Sequence, residues 1–325
     1  MKVILPVAGK GTRLKPFTLH KPKSLLPVGG KPILDWIVEA TLSLDVSERI
    51  FVTGYKAECV EEYLKTRDWG TIRTVFQSDP QGLGEAVSLC LPYLDDDEPV
   101  LIILGDTLFK ADLSSLETSG TNALVTLRVN DPDRFGVAVK DSNGEITRLV
   151  EKPKEFVSDE ALIGIYYIRD VAALRNALGR IIREDIRIRG EYQLTDALQL
   201  MIESGCRFTT SPAVSWLDCG LPATLLKTNA AVLPYSDNSG EHDYPGSRIT
   251  PPCHIGRNVR IANSKVGPYV SIGDGCEVID SCVANSILWD GVRLQRSQLE
   301  NRIIAGEDIY VIAGGLMKAE GMVHP

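Results

Sequence analysis

The chain has 325 residues, with 35 Lys and Arg against 43 Asp and Glu, so its formal net charge is −8. Hydrophobic residues make up 44% and charged residues 24%, which is typical of a globular protein and excludes disorder over most of the chain. An acidic protein lacks the basic face that duplex nucleic acid requires, so we expect no nucleic-acid partner. A small polyanionic ligand is not excluded, because a local group of cations can lie within an acidic protein.

Neither a membrane segment nor a disulfide framework is predicted. No stretch reaches the roughly 18 consecutive apolar residues of a membrane-spanning helix, so we expect no membrane partner. The first apolar run is followed by Gly-Lys-Gly-Thr-Arg, which is not typical of a secretory leader. Seven cysteines at irregular spacing, with no C-x2-C pair, favour free thiols over disulfides or a zinc site. These features together predict a cytoplasmic protein.

Apolar runs alternate with helical patterns over the first two-thirds of the chain. Several runs are apolar throughout, as expected for strands covered on both faces of a mostly parallel sheet. Strands are predicted at residues 3–7, 50–53, 100–104, 123–129 and 162–168. One helix is predicted to begin at Pro32 and another to span residues 192–204. The alternation predicts a layered α/β domain.

The pattern changes after residue 234. Proline, glycine and small polar residues dominate residues 235–252 and predict a linker. Beyond it, aliphatic residues recur at intervals of five or six: Ile255, Ile261, Val266, Ile272, Val278 and Val283. This hexapeptide period predicts a parallel β-helix with about three coils of about eighteen residues each. A small β-sandwich, the alternative, would show two-residue alternation along longer strands.

A glycine-rich loop follows the first predicted strand. Residues 9–13 read Gly-Lys-Gly-Thr-Arg, which can bring backbone N–H groups against a phosphate, and Arg13 and Lys23 add positive charge. The dinucleotide fingerprint needs a third glycine where this chain has Leu14, and the G-x4-G-K-[ST] motif is absent. Considered alone, the loop fits a surface turn with solvated side chains better than a phosphate-binding site.

Further motifs follow this loop in order along the chain. They are Q-S-D-P-Q-G-L-G-E-A at 77–86, I-I-L-G-D at 102–106, R-F-G at 134–136, E-K-P at 151–153 and W-L-D-C-G at 216–220. Together they resemble the sugar-1-phosphate nucleotidylyltransferases, most closely the glucose-1-phosphate thymidylyl- and uridylyltransferases that carry a C-terminal hexapeptide tail. The resemblance implies a Rossmann-like mixed-sheet catalytic domain over 1–234, a linker over 235–252 and a short left-handed parallel β-helix over 253–325.

The resemblance also implies which residues bind the nucleotide. The side-chain amide of Gln77 and the backbone of Gly82 would read the edge of the base, because an amide offers both a donor and an acceptor. Pro6 and Ala8 stand where Leu and Gly are usual in the thymidylyltransferases. The implied nucleotide-binding set is Pro6, Ala8, Gly9, Gly11, Thr12, Arg13, Gln77 and Gly82. The implied catalytic residues are Arg13, Lys23 and Asp106.

The sugar phosphate and the metal are assigned to other motifs by the same resemblance. The implied sugar-phosphate-binding residues are Gly136, Glu151, Lys152, Leu162, Tyr166 and Arg189. Asp106 and Asp218 match the metal-binding aspartates, and their hard oxygen ligands favour Mg²⁺. Considered alone, either aspartate could be a turn or helix-capping residue.

The implied reaction transfers a nucleotidyl group from an NTP to a sugar-1-phosphate and releases pyrophosphate. dTTP or UTP and glucose-1-phosphate are favoured as the substrates. The alternatives are a mannose-1-phosphate guanylyltransferase, a non-catalytic subunit that senses sugar nucleotides, and a hexapeptide acyltransferase. The presence of the cations and carboxylates disfavours the sensing subunit, and a short tail with His254 at its start disfavours the acyltransferase. We expect a homo-oligomer, because the exposed end of a β-helix and the apolar residues 287–289 favour self-association.

Overall fold

The computed structural model describes residues 1–236 and 244–306, together with the backbone of 309–312 and 315–318. Its helices are α1 (Phe17–His20), α2 (Ile33–Glu39), α3 (Ala57–Leu64), α4 (Leu83–Ser88), α5 (Ser114–Thr118), α6 (Val171–Arg183), α7 (Leu194–Glu203) and α8 (Pro222–Val232). Within these described ranges, no helix is both long enough and apolar enough to cross a membrane.

The strands before residue 219 are β1 (Lys2–Pro6), β2 (Pro27–Val28), β3 (Lys31–Pro32), β4 (Glu48–Thr53), β5 (Ile72–Phe76), β6 (Val100–Ile103), β7 (Thr107–Lys110), β8 (Asn122–Arg128), β9 (Gly136–Lys140), β10 (Ile146–Glu151), β11 (Glu160–Ile168), β12 (Phe208–Pro212) and β13 (Ser215–Asp218). The later strands are β14 (Arg248–Ile249), β15 (Cys253–Ile255), β16 (Arg260–Ala262), β17 (Lys265–Val266), β18 (Val270–Ile272), β19 (Glu277–Ile279), β20 (Cys282–Ala284), β21 (Ile287–Leu288), β22 (Arg293–Gln295), β23 (Gln298–Glu300), β24 (Arg302–Ile304), β25 (Ile309–Ile312) and β26 (Gly315–Lys318).

Spatial contacts divide the chain into two units, each drawn from two stretches of sequence. Unit 1 consists of residues 1–10 and 37–216, and unit 2 of residues 11–36 and 217–325. The predicted domains are continuous stretches instead, and their boundaries stay a prediction.

Unit 1 is built on a nine-stranded mixed sheet. Its main strand order is β10-β9-β11-β6-β1-β4-β5, and β8 joins β11 to β12. Strands β6, β1, β4 and β5 run parallel, whereas β11 is antiparallel to both β6 and β8. β11 is buried along its whole length, which requires cover on both faces of the sheet. The predicted α/β mixed sheet is therefore confirmed.

Helix α6 shows why the unit 1 sheet is covered by helices. Its buried residues are Val171, Leu174, Ala177, Leu178 and Ile181, a spacing of three and four that forms one apolar stripe. Arg180 and Arg183 lie in its last turn, where positive charge complements the helix dipole. The stripe joins a core cluster with α4, α7 and the buried strand residues, so the helices hold the strand ends in fixed positions.

The five predicted strands are confirmed with shifts of one or two residues, as β1, β4, β6, β8 and β11. The helix predicted to begin at Pro32 begins at Ile33 instead, because Pro32 pairs with Pro27 in the β2–β3 hairpin. The helix predicted over 192–204 is α7, which begins two residues later because Tyr192 is bound to the preceding loop.

Unit 2 contains a parallel β-helix whose short strands stack into three sheets. The sheets are β14-β17-β20-β23, β15-β18-β21-β24 with β25 and β26 added, and β16-β19-β22. Successive coils are 17 residues apart where Cys253 pairs with Val270, and 16 where Ile287 pairs with Ile303. The coils are therefore shorter than the predicted eighteen residues, and the three stacked sheets agree with the predicted left-handed β-helix. β14 lies within the predicted linker, so the stacking begins before residue 253.

The N-terminal stretch of unit 2 packs against α8 and the β-helix. The Oδ1 atom of buried Asn229 in α8 accepts hydrogen bonds from the Gly29 N–H at 2.8 Å and from the Ser271 hydroxyl at 2.6 Å. The rings of Phe17 and Trp289 lie 5.7 Å apart. These contacts tie residues 11–36 to α8 and to the β-helix within one packed body.

Candidate active site

The edge of the unit 1 sheet places two of the predicted residues together. β1 ends at Pro6 and the neighbouring parallel strand β6 ends three residues before Asp106. The Gly105 N–H donates to the Pro6 carbonyl at 3.3 Å, which fixes the Asp106 segment beside the end of β1. Carboxyl ends of parallel strands form the ligand-binding edge of α/β sheets, so Asp106 lies where a ligand is expected.

The loop after β1 continues along this edge. Ala8 is buried, and its carbonyl accepts a hydrogen bond from the Tyr55 N–H at 3.0 Å. Gly9 follows and is exposed. This part of the loop therefore combines an anchored alanine with an accessible backbone.

The rest of the glycine-rich loop belongs to unit 2. Thr12 and Arg13 lie in an exposed 3₁₀ turn, and Lys23 begins a second 3₁₀ turn. The Thr18 hydroxyl donates to the Gly11 carbonyl at 3.0 Å, and a Cβ placed at residue 11 would lie 3.2 Å from the Lys23 Cβ. The structure thus brings Gly11 and Lys23 side by side, although they are twelve positions apart in the sequence.

Gln77 follows the edge strand β5 and is 5% exposed. Its backbone N–H donates to the Thr53 carbonyl at 2.8 Å, and its side-chain Nε2 donates to the Glu85 carboxylate. Because a carboxylate can only accept, this contact fixes which end of the amide faces Glu85. Glu85 lies inside a motif that the sequence singled out, but its role in holding Gln77 was missed.

Gly82 lies just before α4 and is packed against a second loop. Its φ is +123°, and a Cβ there would lie 2.5 Å from the Tyr192 carbonyl oxygen. Two backbone hydrogen bonds join the loops, from Tyr192 N–H to the Gln81 carbonyl and from Gly84 N–H to the Tyr192 carbonyl, both at 2.8 Å. Only glycine permits this approach.

Gly136 and Glu151 face each other across the antiparallel pair β9–β10. A Cβ at residue 136 would lie 2.8 Å from the Glu151 Oε2 atom, so the absence of a side chain leaves room for that carboxylate. The Thr195 hydroxyl donates to Oε2 at 3.2 Å, and the Lys152 Nζ atom lies 3.3 Å from Oε1. Glu151 is therefore oriented by a hydroxyl and an ammonium group.

Two neighbouring groups have shifted pKa values. Burial raises the pKa of the Tyr166 phenol, and the negative charges of Glu151 and Asp106 raise it further, so the hydroxyl keeps its proton. Burial raises the pKa of Asp196, with a smaller contribution from Glu151. Leu162 lies on the same strand as Tyr166 and is buried. The sequence did not identify Asp196 as a site residue, because nothing in its local sequence distinguishes it from an aspartate in the first turn of any helix.

Arg189 lies at the tip of a tight turn and is exposed. Ile188 and Glu191 exchange backbone hydrogen bonds of 3.0 and 3.1 Å, and the two central residues have φ of +56° and +84°. Arg189 is therefore the first central residue of a two-residue turn whose central residues both have left-handed backbone conformations. In unit 2, the Asp218 Oδ1 atom accepts the Gly220 N–H at 2.8 Å, which orients that carboxylate.

The structure therefore brings several predicted residues together within unit 1. The charges of Asp106 and Glu151 act on the Tyr166 hydroxyl. Glu151 also contacts Gly136 and Lys152. Separately, the Gln77–Gly82 segment contacts the loop that carries Arg189. Within unit 2, Gly11 and Lys23 are adjacent.

Comparison with known proteins identifies the family. Residues 2–234 match the nucleotidyl transferase family. A glucose-1-phosphate thymidylyltransferase of Streptomyces antibioticus is 30% identical over 315 residues, covering 89% of this chain and 87% of that relative. A UTP–glucose-1-phosphate uridylyltransferase of Haloferax volcanii is 32% identical over 231 residues, covering 68% of this chain and 92% of that relative.

The fold is also found among solved structures. A UDP-glucose pyrophosphorylase complexed with UDP-glucose has a TM-score of 0.62 at 23% identity, covering 72% of this chain and 98% of that structure. This likeness confirms the predicted Rossmann-like nucleotidyltransferase fold. The family match and the named relatives confirm the predicted enzyme class, and the chain belongs to the nucleotidyl transferase family.

Proposed function

We propose that this enzyme transfers a nucleotidyl group from dTTP or UTP to glucose-1-phosphate, giving a nucleoside diphosphate sugar and pyrophosphate. The observation that carries the choice of base is the fixed amide of Gln77. Because its Nε2 donates to Glu85, its Oε1 is the atom presented as an acceptor. An acceptor at this point matches the imide N–H of thymine or uracil.

The sugar side of the proposal rests on Glu151. Its carboxylate is held by Thr195 and Lys152 and faces a position without a side chain at Gly136. An oriented carboxylate accepts hydrogen bonds from sugar hydroxyls, and the protonated Tyr166 hydroxyl limits the local negative charge. Lys152 and Arg189 are the cations assigned to the phosphate of the sugar-1-phosphate.

The proposed chemistry needs no protein nucleophile. A phosphate oxygen of glucose-1-phosphate attacks the α-phosphorus of the nucleotide, and the bond from that phosphorus to the bridging oxygen of pyrophosphate breaks. The attacking oxygen is already ionised at neutral pH, so positioning and charge stabilisation supply the catalysis. Arg13 and Lys23 are assigned to the triphosphate and to the charge that develops on pyrophosphate.

The carboxylates assigned to a metal have suitable chemistry for Mg²⁺. Asp106 and Asp218 offer hard oxygen ligands, and Asp218 is oriented by its hydrogen bond from Gly220. When bound, Mg²⁺ would neutralise phosphate charge and make pyrophosphate a better leaving group. The dependence on Mg²⁺, the homo-oligomeric state and the cytoplasmic location stay predictions.

A substrate panel tests the proposal. Pyrophosphate release is measured for dTTP, UTP, GTP, CTP and ATP, each with the 1-phosphates of glucose, galactose, mannose and N-acetylglucosamine. We expect the highest kcat/KM for dTTP or UTP with glucose-1-phosphate. Preference for GTP with mannose-1-phosphate would replace the proposal with a guanylyltransferase. Absence of release from every pair, with sugar-nucleotide binding retained, would identify a sensing subunit.

A further inference from the structure

A cluster of four side chains joins the two loops that the proposed function assigns to different substrates. Its centre is the guanidinium group of Arg187. The Nη2 atom donates to the Gln81 Oε1 at 2.7 Å and to the Tyr192 hydroxyl at 2.8 Å, and Nε donates to the Asp185 Oδ1 at 2.6 Å. The Tyr192 hydroxyl donates to the same Asp185 oxygen at 2.6 Å. Every member therefore contacts at least one other through a hydrogen bond.

The first loop in this cluster is the base segment, defined as residues 77–82. Gln81 belongs to it and lies between the base-reading candidates Gln77 and Gly82. The segment is bound to Tyr192 through backbone hydrogen bonds, and the Arg187 guanidinium lies 4.0 Å from the centre of the Tyr192 ring. The Gln81 side chain and the Tyr192 ring are thus both fixed by one cation.

The second loop is the Arg189 turn, defined as residues 188–191. Arg187 immediately precedes it, and the Arg187 Nη1 atom donates across the turn to the Gly190 carbonyl at 3.3 Å. Arg189 has a left-handed backbone, which a residue with a Cβ adopts only when its surroundings impose it. The bond from Arg187 to Gly190 is one such constraint, so it helps to set the direction of the Arg189 side chain.

We propose that Arg187 is a positioning residue that couples nucleotide binding to sugar-phosphate binding, by linking the base segment to the Arg189 turn. The inference rests on the proposed function of the two loops. A nucleotide that orders the base segment would stabilise Gln81 and, through Arg187, the turn that presents Arg189. By linkage, the sugar phosphate must strengthen nucleotide binding by the same factor.

The geometry distinguishes this role from direct phosphate binding by Arg187. A guanidinium group is planar and carries five donors in fixed directions, whereas an ammonium group is a compact charge. Lysine at this position keeps the charge but cannot hold Gln81, Tyr192 and Asp185 in the same arrangement. If this hydrogen-bonded arrangement matters, Arg187→Lys therefore removes the coupling between the two ligands. If only the positive charge matters, Arg187→Lys preserves the affinity for phosphate.

Calorimetry on the full chain measures the coupling. Glucose-1-phosphate is titrated with and without a saturating dTTP analogue that carries a methylene bridge between its α- and β-phosphates. We expect the wild-type protein to bind the sugar phosphate more tightly by a factor of about 5–150 when the analogue is bound. Arg187→Lys should bring this factor close to 1, with a smaller change in the affinity for either ligand alone. Tyr192→Phe should reduce it to a lesser degree.

Arg180 supplies the matched control. It forms one exposed ion pair with Glu184 on α6, so Arg180→Lys should keep the wild-type coupling factor. Circular dichroism at the assay temperature checks that each variant is folded. Arg187→Lys with wild-type coupling overturns the inference, as does a wild-type enzyme that turns over but shows no coupling. A wild-type protein that releases no pyrophosphate from any substrate pair overturns the proposed function, and the inference with it.

Discussion

Trp289 of the β-helix supports the segment that lies between the two phosphate-binding candidates Arg13 and Lys23. It is 5% exposed, and its ring lies 5.7 Å from the ring of the fully buried Phe17. The neighbouring Asp290 forms an ion pair with Lys21 at 3.3 Å. We predict that Trp289→Ala both destabilises unit 2 and weakens binding of the nucleotide.

The size of the stability change follows from these contacts. Replacing a buried tryptophan by alanine costs about 3–5 kcal/mol, because transfer energy is lost and a cavity remains. That cost includes the aromatic contact with Phe17, which contributes about 0.5–1.5 kcal/mol of it. Both members of the Lys21–Asp290 pair are substantially exposed, so the pair adds no more than about 1 kcal/mol even if it breaks as well. The total should therefore lie near 3–5 kcal/mol.

The functional change is smaller and selective. If the Phe17–Lys21 segment loosens, Arg13 and Lys23, which the proposal assigns to the triphosphate, lose part of their fixed placement. We therefore expect the KM for dTTP or UTP to rise about tenfold, equivalent to about 1.4 kcal/mol. The KM for glucose-1-phosphate should change less, since Lys152 and Arg189 belong to the other unit. Urea unfolding and steady-state pyrophosphate release measure the two effects.

Trp69 provides the control for lost packing. It is 7% exposed in unit 1 and packs against Phe51 and Tyr63 at ring distances of 6.3 and 6.4 Å. Trp69→Ala should cost a similar amount of stability without raising the KM of the nucleotide. If Trp289→Ala loses stability but keeps the wild-type nucleotide KM, or if Trp69→Ala raises that KM equally, the supporting role of Trp289 is refuted.

Three further outcomes are expected. Asn229→Leu should destabilise the protein by about 2–6 kcal/mol in urea unfolding, because two buried donors lose their acceptor, and adding Ser271→Ala should recover part of this. Asp106→Asn should lower kcat about 10²–10³-fold while the thermal midpoint stays near wild type; equal turnover would contradict its catalytic assignment. Burial lowers the pKa of His254 despite the opposing charge of Asp274, so the unfolded state binds more protons than the folded state does. The free energy of unfolding should therefore fall as the pH decreases below about 6.5. His254→Gln should flatten this pH dependence.

The sequence predicted the strands that are apolar along their whole length. β11, for example, is nine residues long and entirely buried, so its hydrophobic run marks it without further information. β9 and β10 were not predicted, because their exposed and buried residues form short mixed patterns that resemble loops. Their antiparallel pairing, which places Gly136 opposite Glu151, forms only when the chain folds.

The candidate site was predicted at the level of motifs rather than of networks. Gln77 and Glu151 carry recognisable local signatures, whereas Glu85 and Thr195 matter only because folding brings them to those two side chains. The same holds for Arg187, whose partners come from two separate loops. Local sequence therefore predicts which residues bind the ligands, and the structure shows which other side chains hold those residues in place.

The discontinuous composition of unit 2 has a consequence for how the protein is made. Residues 11–36 leave the ribosome well before Trp289, which packs against Phe17 and lies more than 250 positions later in the sequence. At about 5–20 residues per second, the segment with Arg13 and Lys23 waits roughly 10–50 s for this partner. During that interval the hydrophobic side chain of Phe17 lacks its native cover. Synthesis of the β-helix is therefore the step that gives the segment with Arg13 and Lys23 its native packing.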